Sequence, residues 1–165
     1  MRSAGRCWEA VRLTRGSGLW WHRYHVEGWV QNLDDRVAVA AVVDALYRLL
    51  SFEPGDEPDW EGFRSYFEPS ALLAMRVFPS DEKVSVMSLE EYMRHQMREG
   101  LKGEGYTETT GERDVVVVGD VACVRQEFSM NFATGEPVPA IDLFLLVKRG
   151  GQWRIVSVVS DMQRL

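Results

Sequence analysis

The sequence predicts an α+β domain in which helices come first and a mostly antiparallel sheet follows. Three observations carry this. Apolar residues recur at three- and four-residue intervals through Val39, Val42, Val43, Leu46, Leu49 and Leu50, the stripe of a helix lying on a core. Ser88 and Glu91 have the spacing of a capping box, which opens a second well-defined helix. From Tyr106 onward the period changes to two, and glycine and aspartate turns separate strand-like runs. With 165 residues and 18.9 kDa, the chain can bury one sizeable core and is too short for two ordinary domains.

Taken in order, residues 1–33 read as a poorly ordered, basic, tryptophan-rich leader, and residues 34–165 as the folded domain. The first 30 residues hold Arg2, Arg6, Arg12, Arg15 and Arg23 against Glu9 and Glu27, whereas the rest of the chain is strongly acidic. Trp8, Trp20, Trp21 and Trp29 also fall here, without helical or strand periodicity. Arg12, Arg15, Gly16 and Gly18 interrupt every run that a secretory signal would need. An amphipathic membrane anchor would use these same Trp and Arg side chains, but no apolar stripe accompanies them. His22 and His25 are spaced for a metal on a helix, yet no cysteine or further histidine joins them, so no metal is expected.

Asp34 or Asp35 is positioned to cap the first domain helix, which ends before Pro54. Asp59 caps a second, short helix through Trp60, Phe63 and Phe67 that Glu68 and Pro69 stop. The run 71–78 reads as a strand, with a short return at Val84 and Val86. The third helix starts at Ser88 and ends at Gly100. Strand-like runs follow at 105–110, 112–118, 121–132, 140–148 and 153–162. Gly119-Asp120 and Gly150-Gly151 serve as two-residue hairpin turns.

A Gly150-Gly151 turn pairs Arg149 with Gln152 and Lys148 with Trp153. Continued down the hairpin, this register places Asp142, Phe144, Leu146, Trp153, Ile155, Ser157, Val159 and Asp161 on one face. Ile141, Leu143, Leu145, Val147, Val156, Val158 and Met162 share the other. Both faces are largely apolar, so the side turned away from the helices needs a cover, and a second copy of the chain is the economical one. A homodimer through the outer sheet face is therefore expected.

The charge balance excludes some partners. Nineteen basic against 25 acidic residues give a net charge of −6, the wrong sign for a surface that grips nucleic acid. Val37 to Leu50, the most apolar stretch, is broken by Asp44 and Arg48 and falls short of a membrane span. Cys7 and Cys123 lie too far apart for a metal motif and form no disulfide framework, which suits a reducing cytoplasm. No glycine-rich phosphate loop, nucleophile elbow, zinc spacing or dinucleotide fingerprint occurs, so no cofactor is expected.

The order of elements, the opening helix Val37–Leu50, the turn and strand Gly119-Asp-Val-Ala-Cys-Val124 and the ending Gly150-Gly-Gln-Trp-Arg-Ile-Val-Ser157 together resemble the nuclear transport factor 2-like (NTF2-like) superfamily. SnoaL-like polyketide cyclases, ketosteroid isomerase and scytalone dehydratase share that fold. The resemblance spans about residues 34–162 and rests on fold signatures rather than catalytic ones. It implies three N-terminal helices packed in a strongly curved sheet, a cystatin-like cone or half-barrel, with a pocket inside and subunits paired on the outer face. It implies no reaction, because enzymes, carriers and inert scaffolds share this backbone.

Asp142, set among Ile141, Leu143 and Phe144, is the first candidate for proton transfer, since desolvation raises a carboxyl toward neutral pKa. A wet carboxylate on the sheet rim is the bland reading. Asp161 falls on the same face by the hairpin register. His95, four residues from both Glu91 and Glu99, is either a surface ion-pair partner or a base facing inward beside Tyr92. Tyr47, Trp60, Phe63 and Tyr66, with Tyr92, are candidates to line an apolar ligand pocket, or simply to pack. Arg125 and Glu127 share one face of the strand 121–132; which face of that strand is inside the sequence leaves open, and inside it Arg125 would bind a polar ligand group. The expected activity is binding of a small organic molecule, with cofactor-independent isomerase, dehydratase or cyclase chemistry. The alternative is a non-catalytic dimeric interaction or scaffold domain.

Overall fold

The computed structural model describes residues 21–162, with side chains from Leu33 onward. Ten elements follow in order: α1 (Trp21–Leu50), α2 (Trp60–Ser65), β1 (Phe67–Met75), β2 (Ser85–Ser88), α3 (Leu89–Gln96), α4 (Leu101–Glu104), β3 (Tyr106–Val118), β4 (Val121–Phe132), β5 (Val138–Arg149) and β6 (Gln152–Met162). Strands β3 to β6 form the expected antiparallel meander, β1 joins β6 in parallel, and β2 closes the order β2-β1-β6-β5-β4-β3. The sheet is open and mixed, and four helices replace the expected three, because a short α4 precedes β3.

The local signals act as their chemistry requires. Asp59 caps α2 by accepting from the Gly62 amide at 2.9 Å, and Ser88 and Glu91 close the reciprocal capping box of α3. Pro69 stands inside β1 rather than past its start, and the pairing of β1 with β6 is irregular between Phe67 and Leu72, where the missing amide is tolerated.

Helix α1 is already formed at Trp21, ahead of the expected cap at Asp34 or Asp35. Asp35 instead turns into the domain and binds the last hairpin. Lys148 Nζ donates to its carboxylate at 2.6 Å and Trp153 Nε1 at 3.2 Å, which holds the Asp35 pKa below its usual value. An aspartate that reads as a helix cap is thus the clamp between α1 and the β5–β6 turn. Residues 1–20 lie outside the described residues.

Two further register faults shape the sheet. The runs 105–110 and 112–118 are one strand, β3, with an irregularity between Thr110 and Arg113. Gln126 on β4 is wholly buried against it, donating through Nε2 to the carbonyls of Gly111 at 3.1 Å and Glu112 at 3.2 Å and to that of Glu127 at 2.7 Å. Its oxygen accepts from Arg113 Nε, and Arg113 also reaches the Ala40 carbonyl and Asp44 on α1. The second fault is in β6. Pairing follows the expected register from Arg149↔Gln152 to Leu146↔Ile155 and then slips by one residue, so that Leu145 faces Ser157 and Asp142 faces Ser160. The extra residue is Val156.

The core lies between the helices and the inner sheet face, through Val39, Val43, Leu46, Phe63, Leu73, Val124, Phe144, Leu146 and Ile155. Because Gln126 satisfies backbone groups that the irregularity in β3 would otherwise leave unpaired, Gln126→Leu should cost about 2–3 kcal/mol. Urea unfolding measures it, and an unchanged midpoint would show that the backbone of β3 holds itself.

Candidate functional site

Alternation along β5 turns Ala140, Asp142 and Phe144 to the inner face, and Asp142 is buried there. The Tyr47 hydroxyl, from α1, donates to Asp142 Oδ2 at 2.6 Å. Tyr47 is itself set by ring contacts with Phe128 at 5.5 Å and Phe144 at 6.3 Å. Ser160, the cross-strand partner of Asp142, hydrogen-bonds its carboxylate from β6. On β3 the same alternation carries Tyr106 and Glu108 inward, and the Tyr106 hydroxyl donates to Glu108 Oε1 at 2.6 Å.

These groups share one cavity with Phe63, Tyr92, Gln96, Arg76, Phe128 and Phe144 among its walls. Its void is about 590 Å³ counted with its open mouth, of which about 60 Å³ admits the centres of water-sized molecules, so it is narrow. The walls are mostly apolar with a few polar groups, the usual make-up of a small-molecule site. Among the described residues, two buried side-chain nitrogens have no hydrogen-bond partner, Gln96 Nε2 and Arg76 Nε, and both residues line this cavity.

Burial dominates the electrostatics. It raises the Asp142 carboxyl to about 6, against the opposing hydrogen bonds from Ser160 and Tyr47. It raises Glu108 further, to about 8, helped by the charge of Asp142 and opposed by the Tyr106 hydrogen bond. Burial likewise keeps the Tyr47, Tyr92 and Tyr106 hydroxyls protonated far above their ordinary range. Both carboxyls thus hold their protons toward neutral pH, Glu108 more firmly than Asp142.

The expected site residues divide. Asp142, Tyr47, Phe63 and Tyr92 line the cavity. Asp161 does not: the slip in β6 turns it to the outer face opposite Ile141, where Arg76 Nη1 binds it at 2.5 Å. His95 is exposed on the outer side of α3, in a surface groove with Ser85, Val86 and Arg94. Arg125 points outward, paired with Glu127 at 2.6 Å and Asp114 at 3.8 Å, because the inner face of β4 is Ala122, Val124, Gln126, Phe128 and Met130. Trp60 and Tyr66 are half-buried and pack behind the cavity, Trp60 edge-on to Phe63 at 5.7 Å. His22 and His25 have no described side chains, and among the described residues no group of three or more His, Cys, Asp or Glu gathers as a metal site.

Glu108, Gln96, Arg76 and Ser160 belong to the site and escaped the sequence reading. For Glu108 a signal existed, since Tyr106 and Glu108 are alternate positions of one strand behind an aromatic residue. Gln96 and Arg76 carry no such mark, being placed by tertiary packing alone.

The two acids give the fold a pH dependence. Unfolded, they ionise near 4; folded, only near 6 and 8. The native state therefore binds more protons between those values, and stability falls as pH rises from about 4 to about 8. Asp142→Asn should raise the melting temperature at pH 8 by roughly 5 °C and leave it unchanged at pH 4. An equal effect at both pH values would mean that Asp142 ionises normally.

A family model described as "Putative lumazine-binding" matches residues 35–159. No curated protein matches the chain. Among solved structures, an NTF2-like protein with a cystatin-like fold from Novosphingobium aromaticivorans superposes with a TM-score of 0.67 at 14% identity, over 87% of this chain and 91% of that one. A "putative dehydratase" of the NTF2-like family from Streptomyces avermitilis superposes with a TM-score of 0.61 at 16% identity, over 80% and 98%. A protein of unknown function with a cystatin-like fold from Nostoc punctiforme gives 0.60 at 13% identity, over 78% and 91%. At such identities the likeness is one of fold.

Proposed function

The chain belongs to the lumazine-binding-like family of the NTF2-like superfamily, and from that premise we propose that its cavity binds a small organic molecule and moves a proton on it without a cofactor, as an isomerase, dehydratase or cyclase does. The observation that carries this reading is a pair of carboxyls facing one apolar cavity, Asp142 buried and Glu108 half-buried, with proton affinities raised to either side of neutrality. A cavity that served only for packing would gain from apolar residues at both positions, because burying ionisable groups costs stability. Asp142 is the base, oriented by Tyr47 and Ser160, and Glu108 is the acid that protonates or hydrogen-bonds the developing negative charge. The family description, which names a ligand, and the dehydratase assignment of one fold relative favour this over an inert scaffold.

Nitroethane, a small carbon acid, tests the base directly. Its deprotonation, followed by ultraviolet absorbance, should show a protein-catalysed rate that rises through about pH 6 and falls above about pH 8. Asp142→Asn should lower that rate at least a hundredfold, and Glu108→Gln should remove only the alkaline limb. A rate that is flat across the range, or equal in Asp142→Asn, would refute the acid–base role.

The outer sheet face is the proposed homodimer interface. Val116, Val118, Val121, Leu143, Leu145 and Val159 are 43–68% exposed on β3 to β6, an apolar band too continuous for water. Arg125, Asp114 and Glu127 border it with both signs of charge, which suits a self-complementary contact about a two-fold axis. The slip in β6 alters the expected band: Val158 and Met162 turn inward, and Val159 takes their place outside. Leu143→Arg should convert a dimer to a soluble monomer in light scattering at micromolar concentration; a wild type that is already monomeric refutes the interface.

A further inference from the structure

Two side chains of the cavity wall carry buried donors that the protein itself does not use. Gln96, 2% exposed on α3, has its side-chain nitrogen unpaired, and Arg76, just beyond β1, has its Nε unpaired while its Nη1 holds Asp161 outside. A buried N–H without an acceptor costs free energy that a ligand acceptor would restore, so such groups mark where a ligand atom belongs. The remaining polar groups divide in a complementary way. Asp142 already accepts from Tyr47 and Ser160, and Glu108 accepts from Tyr106.

We propose that the cavity takes an uncharged, largely apolar molecule bearing a carbonyl-type oxygen, which Gln96 Nε2 and Arg76 Nε receive. This rests on reading the cavity as a ligand site and specifies what enters it. A carboxylate or phosphate is disfavoured on the same geometry: two carboxyl groups already face the space, and the one cation at its wall is neutralised by Asp161 at 2.5 Å. A hydrocarbon would fill the aromatic walls and leave both nitrogens unpaired.

Three probes of similar size separate the cases: acetophenone, benzoate and toluene, titrated into the full chain and followed by nitrogen-15 NMR of the Gln96 side-chain amide. Acetophenone should bind at least tenfold tighter than either of the others and shift the Gln96 amide resonances. Gln96→Leu should bring acetophenone down to the affinity of toluene while toluene binding stays constant. That variant should fold with an unchanged or higher melting temperature, because it removes an unsatisfied donor. Equal affinity for the three, tightest binding of benzoate, no binding of acetophenone at millimolar concentration, or a preference that survives Gln96→Leu would each overturn the proposal. The comparison of probes in the wild type stands without the variant. Nitroethane turnover is scored separately, so a failure of proton transfer with the carbonyl preference intact removes only the catalytic reading.

Discussion

Two carboxyl groups, Asp142 buried and Glu108 half-buried, share one narrow apolar cavity, and the rest of the site is arranged around that constraint. Burial disfavours the ionised form of each, and the charge on Asp142 weighs further on Glu108, so the pair separates to about 6 and about 8 instead of titrating together near 4. Hydrogen bonds from Tyr47 and Ser160 keep Asp142 the more readily ionised, while Glu108 has the single phenol of Tyr106. The proposed division of labour between acceptor and donor of protons rests on that difference in solvation. It draws on three strands, β3, β5 and β6, and on α1.

Holding such a cavity open needs fixed walls, and two buried polar clamps supply them. Asp35 joins α1 to Lys148 and Trp153 at the far end of the sheet, and the Gln126–Arg113 group joins the same helix to the irregular stretch of β3. Tyr47 sits on α1 three residues beyond Asp44, about one helical turn past the Arg113 clamp, so its hydroxyl meets Asp142 in a defined position. The register slip in β6 has a matching consequence, since it brings Ser160 to the inner face opposite Asp142 and sends Asp161 out to Arg76.

Much of this was legible where the information is local. The capping box of α3, the Asp59 cap, both hairpin turns and the face assignment along β5 follow from spacing, and with them came Asp142, Tyr47, Phe63 and Tyr92. What failed depends on events between elements. One extra residue, Val156, inverts the faces of the second half of β6, and no periodicity in 153–162 announces it, because Val156, Val158 and Val159 are interchangeable in hydropathy. The orientations of Arg125 and His95 stayed open in the sequence because only packing decides them; β4 turns Gln126 inward, where it meets the carbonyls of β3. The Asp34–Asp35 pair shows the same limit, since a helix cap and a long-range ion pair ask for the same residue.

The ionisation of Asp142 is measured directly by a carbon-detected NMR titration of its side-chain carboxyl, with Glu108 followed in the same spectra. The expected midpoints are about 6 for Asp142 and about 8 for Glu108, with the Asp142 resonance sensing the second step. Midpoints near the ordinary carboxylate values of about 4 for both groups would contradict this reading, because two carboxylates ionised together at neutral pH could not serve as base and acid in one cavity.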